Sequence, residues 1–96
     1  MEKKPEDSDV DEYGVLKQPT RKLLLELLKA RSERPLVLSQ LSSQAKKHHS
    51  SVWYHLHVLE KYELIEHIPA EKDESHLRHK FKITGKGLKL LEEYNK

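Results

Sequence analysis

Cysteine is absent from the 96 residues, which excludes disulfides and thiolate metal sites outright. Glycine is scarce, with three in the whole chain. No Gly-rich phosphate loop can be written from them, and no nucleophile–base pair stands out, so no enzyme is expected. No apolar run approaches the roughly 18 residues that a membrane span needs. The start, charged throughout from Met1 to Glu12, does not read as a secretory leader. These absences predict a soluble protein inside the cell, with no membrane partner and no cofactor.

What is present is charge. Hydrophobic and charged residues each make up 35% of the chain, and the formal net charge is +2. That balance hides an asymmetry. Residues 1–12 hold two Lys against six Asp/Glu, a balance of −4, while residues 13–96 hold sixteen Lys/Arg against ten Asp/Glu, a balance of +6. The first stretch has no periodic apolar pattern and is expected to be a disordered acidic tail. Residues 13–96 are expected to form one domain with a modest core. A basic body suits an anionic partner such as nucleic acid. A Lys/Glu-rich solvated surface would give the same composition.

Residues 50–65 organise the rest. At about 100° per residue, Val52, Leu56 and Leu59 fall on one line, flanked by His55 and Tyr62. The opposite side carries Ser50, Trp53, Tyr54, His57 and Lys61. One side can hold such a helix to a core, and the other is equipped to touch something polar and anionic.

The elements around it follow from local signals. A first helix is expected over residues 20–31 behind Pro19. Leu24, Leu27 and Leu28 follow one stripe and Leu23 and Leu25 widen it, more than a one-sided surface helix usually carries. Cover from a second subunit is therefore expected, with burial in the middle of a single chain as the plainer alternative. Leu36–Leu38 after Pro35 reads as a short strand, and Ser39 as the cap of a short helix packed through Leu41 and Ala45. Residues 46–49 are the connector, with Ser50 or Ser51 capping the next helix. Two short helices joined by a tight polar turn make a helix-turn-helix, here without the usual Gly in the turn. Residues 64–68 read as a strand ended by Pro69. Residues 76–84 read as a second, with Leu77, His79, Phe81 and Ile83 on one face and Arg78, Lys80 and Lys82 on the other. Thr84 caps a last helix that packs through Leu88, Leu91 and Tyr94.

The stretch from His55 to Ile65 resembles the "HLxxLxxxGLI" segment of ArsR-like transcriptional regulators, where the reading helix ends and a wing begins. Thr84-Gly85-Lys86-Gly87 resembles the "T-x-x-G" that starts the helix after the wing in ArsR- and MarR-like proteins. The resemblance covers residues 19–94. It implies an α+β, mainly α, winged helix-turn-helix: a three-helix core, a short strand, a two-stranded wing and a C-terminal helix. Three positions depart from the pattern. Glu63 stands where Gly commonly ends the helix, Trp53 stands where a small residue is usual, and the wing tip Glu71-Lys72-Asp73-Glu74 is acidic.

The function implied is a dimeric, DNA-binding transcriptional regulator in the cytoplasm, on the nucleoid. It would read duplex DNA with helix 50–62 and contact the backbone with wing 64–84. Ser50, Ser51, Trp53, Tyr54, His57 and Lys61 are the candidates for the major groove. Lys46, Lys47 and His48 would meet phosphate at the helix N-terminus, and Arg78, Lys80 and Lys82 would meet the flanking backbone. The homodimer would use Leu23, Leu24 and Leu27 with Leu88, Leu91 and Tyr94. His55 reads as a core or capping histidine. Seven histidines invite a metal reading, but His76 and His79 differ in strand parity, and His55 and His57 lie about 200° apart on the helix. No metal site is expected. The alternative function is a winged-helix protein-interaction module of replication or transcription machinery with weak, non-specific DNA binding. Exposed Trp53 and Tyr54 and the acidic wing tip would favour it.

Overall fold

A computed structural model describes residues 12–31, 34–73 and 78–95. The expected tail, residues 1–12, lies outside them except for Glu12, the first residue of α1 (Glu12–Leu16). No helix is expected there from the sequence, because five residues cannot display a period. Val15 and Leu16 are nonetheless fully buried.

The next helix, α2 (Pro19–Ala30), begins one residue before the expected Thr20. Pro19 has no N–H to leave unpaired, and Gln18 Oε1 accepts from the Thr20 and Arg21 N–H groups at 2.6 and 3.3 Å. Leu24, Leu25 and Leu28 are buried, Leu27 is half-buried and Leu23 is 37% exposed. The cover comes from this chain's own elements, since α2 touches every other helix and the third strand. Leu24 and Leu91, both expected at a dimer interface, are fully buried in the protomer's own core. Their cover is internal, which corrects their expected place at a dimer interface.

Strand β1 (Leu36–Val37) is followed directly by α3 (Leu38–Ala45). Ser39 is therefore inside the helix, and the expected cap is displaced. The Val37 N–H is satisfied instead by Gln40 Oε1 at 3.0 Å. Leu38, Leu41 and Ala45 turn inward. The connector closes with Lys46 in the left-handed region, φ 57°, and the Lys46 and Lys47 N–H groups bond the Ser43 and Ser42 carbonyls. Lys takes the position that Gly usually takes at a helix end. The following helix, α4 (His49–Lys61), is capped by His48 rather than by Ser50 or Ser51. His48 Nδ1 accepts from the Ser50 N–H at 3.2 Å.

Strands β2 (Ile65–Ile68) and β3 (Lys80–Ile83) pair antiparallel, with His67 opposite Phe81 and Ile65 opposite Ile83. β1 pairs with the other edge of β3 through Leu36 and Phe81, so the sheet order is β1-β3-β2. The wing is thus two strands of a three-stranded sheet. Leu77 and His76 of the expected 76–84 strand lie outside the described residues. Thr84 caps α5 (Gly85–Tyr94) as expected: its Oγ1 accepts from the Gly87 N–H at 3.0 Å and donates to the Glu63 carbonyl at 2.8 Å. Glu63 is the second left-handed non-glycine, φ 63°, at the position that the pattern reserves for Gly. Among the described residues, no helix is long and apolar enough to cross a membrane.

Candidate nucleic-acid interface

The architecture holds α4 by three sides and leaves one open. Val52, Leu56 and Leu59 are fully buried. At about 100° per residue the open side centres on Tyr54, which is 58% exposed. Ser50, Ser51, His57 and Lys61 are exposed around it. Lys46 and Lys47 are exposed at the N-terminal end, the positive end of the helix dipole. A shallow groove there is lined by Ser39, Ser42, Ser43, Lys47, His48 and His49.

Trp53 does not belong to the open side. It is half-buried, and its indole meets His57, His67, His79 and Phe81 edge-on at centroid distances of 4.6, 5.8, 5.0 and 6.0 Å. The indole is therefore wedged between α4 and both wing strands, which corrects its expected place in the groove. His67 is stacked on Phe81, 4.8 Å between centroids and 13° between planes. His67 Nε2 lies 2.7 Å from His79 Nδ1, one ring donating to the other. Glu60 Oε1 lies 3.7 Å from Nδ1 of both His57 and His67. Burial lowers the His67 pKa below its ordinary value, Glu60 pulls it back up, and His79 and His57 lower it further.

This convergence of His57, His67 and His79 is the main feature that the sequence reading missed. The three lie 10 and 12 residues apart in sequence, so no local spacing marks them. The signal lay in hairpin register: His67 pairs with Phe81, and His79, just before β3, shares the parity of Phe81. Among the described residues, no three His, Asp or Glu are arranged to hold a metal ion.

The flank of α4 away from the wing is simpler. His55 is 9% exposed, and its Nδ1 accepts from Arg21 Nε at 3.1 Å. Burial first, then the Arg21 and Lys47 charges, hold its pKa below the usual imidazole value. His55 is thus the core histidine that its position on the helix suggests. On the wing, Arg78 and Lys80 are exposed and Lys82 is half-buried opposite Glu66. The wing tip keeps Glu71, Lys72 and Asp73 exposed, and Glu74 lies outside the described residues. Of the remaining positions expected at a dimer interface, Leu88 and Tyr94 are half-buried and Leu23 is exposed.

Helix, strand, helix, turn, helix, wing, helix, with the sheet edge closed by β1, is the winged helix-turn-helix fold. Among solved structures, the chain is similar to the Staphylococcus aureus MepR–DNA complex, with TM-score 0.74 and 20% identity over 94% of this chain and 69% of that one. It is also similar to MepR, a transcription regulator of the S. aureus multidrug efflux pump MepA, with TM-score 0.68 and 21% identity over 80% of this chain and 54% of that one. A third is the YusO protein of Bacillus subtilis, with TM-score 0.70 and 21% identity over 84% and 57% of the two chains. The chain thus spans little more than half the length of two of these neighbours. At such identities the likeness is one of fold. No family model and no curated protein matches the sequence.

Proposed function

We propose that the chain is a DNA-binding transcriptional regulator that reads duplex DNA with α4 and contacts the flanking backbone with the wing. The observation that carries this reading is the division of α4. Its buried line is locked into the core, and its open side offers hydroxyl, phenol, imidazole and ammonium groups beside two lysines at a helix N-terminus. Hydroxyl and imidazole groups can bond base edges, and the lysines supply phosphate neutralisation. The same fold occurs in a regulator crystallised with DNA. Two copies would place two α4 helices in successive major grooves about 34 Å apart, on a palindromic site.

Selection of bound duplexes from a random pool, followed by gel shifts over a salt series, tests the proposal. Replacing Lys46 and Lys47 together by Ala is expected to weaken every sequence alike. Tyr54→Ala and His57→Ala are expected to change which sequences are preferred. Affinity indifferent to salt would reject phosphate-driven binding, and preference untouched by both Tyr54→Ala and His57→Ala would reject α4 as the reader.

The exposure of Tyr54 and the acidic residues of the wing tip favour a second reading, a protein-interaction module with weak DNA binding. It predicts salt-dependent but sequence-indifferent binding, and a stable protein complex that Tyr54→Ala disrupts.

A further inference from the structure

The phosphate contacts drawn from the sequence all lie at the N-terminus of α4 or on the wing. The other flank of α4 has a cation of its own. Trp53 and His57 point to the wing, and His55, about 200° from either, points the other way, onto the first turn of α2. There it meets Arg21, whose side chain is half-buried. The Nε–H of Arg21 is engaged by His55 Nδ1 at 3.1 Å. Among the described residues neither Nη nitrogen has a hydrogen bond or an ion pair.

We propose that Arg21 is a phosphate-binding residue and His55 its positioning residue, a clamp that grips the DNA strand on the side of α4 away from the wing. The inference rests on the DNA-binding reading above and adds a residue and a strand to it.

Three physical points support the assignment. A guanidinium is a planar fork, so one Nε–H bond fixes the plane and with it the direction of the Nη groups, and a fixed fork loses less entropy on meeting an anion. His55 can accept at Nδ1 only while neutral, and burial beside Arg21 and Lys47 keeps it so at neutral pH. Charge distribution gives the third. The charges acting on His55 are Arg21 and Lys47, with no carboxylate among them. A half-buried cation with no anion paired to it among the described residues is a cost that a phosphate would relieve. A helix lying in the major groove runs between two phosphate strands. The wing serves one, and Arg21 lies on the flank that faces the other.

The test uses the full chain and the duplex recovered by selection. The slope of log affinity against log salt falls by about 0.9 for each phosphate contact removed. Arg21→Gln is expected to flatten the slope by about that amount per protomer and to weaken all sequences by the same factor. His55→Leu is expected to lose part of the slope, and His55→Gln, whose side-chain oxygen can accept from Nε, to restore it. Phosphate ethylation interference with the unaltered protein gives a readout that no folding defect can affect. An interfering phosphate is expected on the strand opposite the wing. An unchanged slope in a folded Arg21→Gln protein, or interference confined to the wing-side strand, would overturn the clamp while leaving DNA binding intact. No salt dependence in the unaltered protein would overturn both.

Discussion

Two residues, Lys46 and Glu63, hold the left-handed backbone that ends α3 and α4. For an L-residue with a side chain this costs roughly 1–2 kcal/mol, while Gly loses part of the gain to its freer unfolded chain. Glu63→Gly is therefore expected to raise stability by up to about 1 kcal/mol. Losing the exposed, 4.0 Å Glu63–Lys86 pair offsets little of it. Urea unfolding midpoints check this, and an unchanged or lower midpoint would count against strain at Glu63. Gly87 works in the opposite sense. A Cβ there would collide with the Leu64 carbonyl and meet the Ile83 side chain at 2.9 Å. Gly87→Ala is expected to cost about 1–3 kcal/mol, read in the same assay.

Titration belongs to the same scale. His55 and His67 both have pKa values below the ordinary 6.5 in the folded chain, so at mildly acid pH the unfolded chain binds more protons than the folded one. The stability they contribute is fully present above about pH 6.5. It begins to fall as pH drops through that value and is lost below the lowered folded values. Unfolding free energy is expected to decrease from pH 7.5 to pH 5, and His67→Phe, which keeps a ring on Phe81, should flatten that decrease. A variant with the same pH profile as the unaltered chain would show that His67 does not carry it.

Among the elements, α1 was invisible to periodicity and yet contributes two of the most buried side chains. Leu16→Ala is expected to cost about 2–5 kcal/mol, measurable as a shift in thermal or urea unfolding. A loss below 0.5 kcal/mol would mean that α1 only leans on the core. α2, α4, β3 and α5 are long or regular enough for their pattern to show, and the sequence places them within a few residues. The errors sit at the caps. Ser39, Ser50 and Ser51 are good cap residues by type, but Val37 with Gln40 and His48 with Ser50 hold the helix starts instead. Which neighbour's side chain reaches an N–H depends on the backbone angle at entry, which composition does not encode. Trp53 is the other displacement: helical spacing put it opposite the core, and the wing folded over it.

For the whole molecule, the question of a partner copy has changed shape. Three of the five leucines on α2 are consumed by the protomer, so a dimer would have to form on what reaches the surface, Leu23 and the partly exposed Leu27, Leu88 and Tyr94. The palindromic-site proposal requires a solution mass of two copies, and Leu23→Glu with Leu88→Glu should then halve it without unfolding the chain. A single-copy mass at micromolar concentration in the unaltered protein would remove the palindromic-site proposal.

The winged helix was legible because its signals are local. A buried line at helical spacing, strict alternation in a strand and Thr-x-x-Gly before a helix each act over a few residues, and each is set by backbone geometry alone. The divided surface of residues 50–62 could be read for the same reason, as could the position where Glu63 must do without Gly and the lack of Gly in the turn that Lys46 closes. Convergence needed the tertiary structure. His57, His67 and His79 meet around Trp53, and Arg21 meets His55 across 34 residues, only because hairpin register and helix packing bring distant positions together. Packing also decided which apolar residues face outward, since an amphipathic stripe records that a side chain needs cover and carries no record of what provides it.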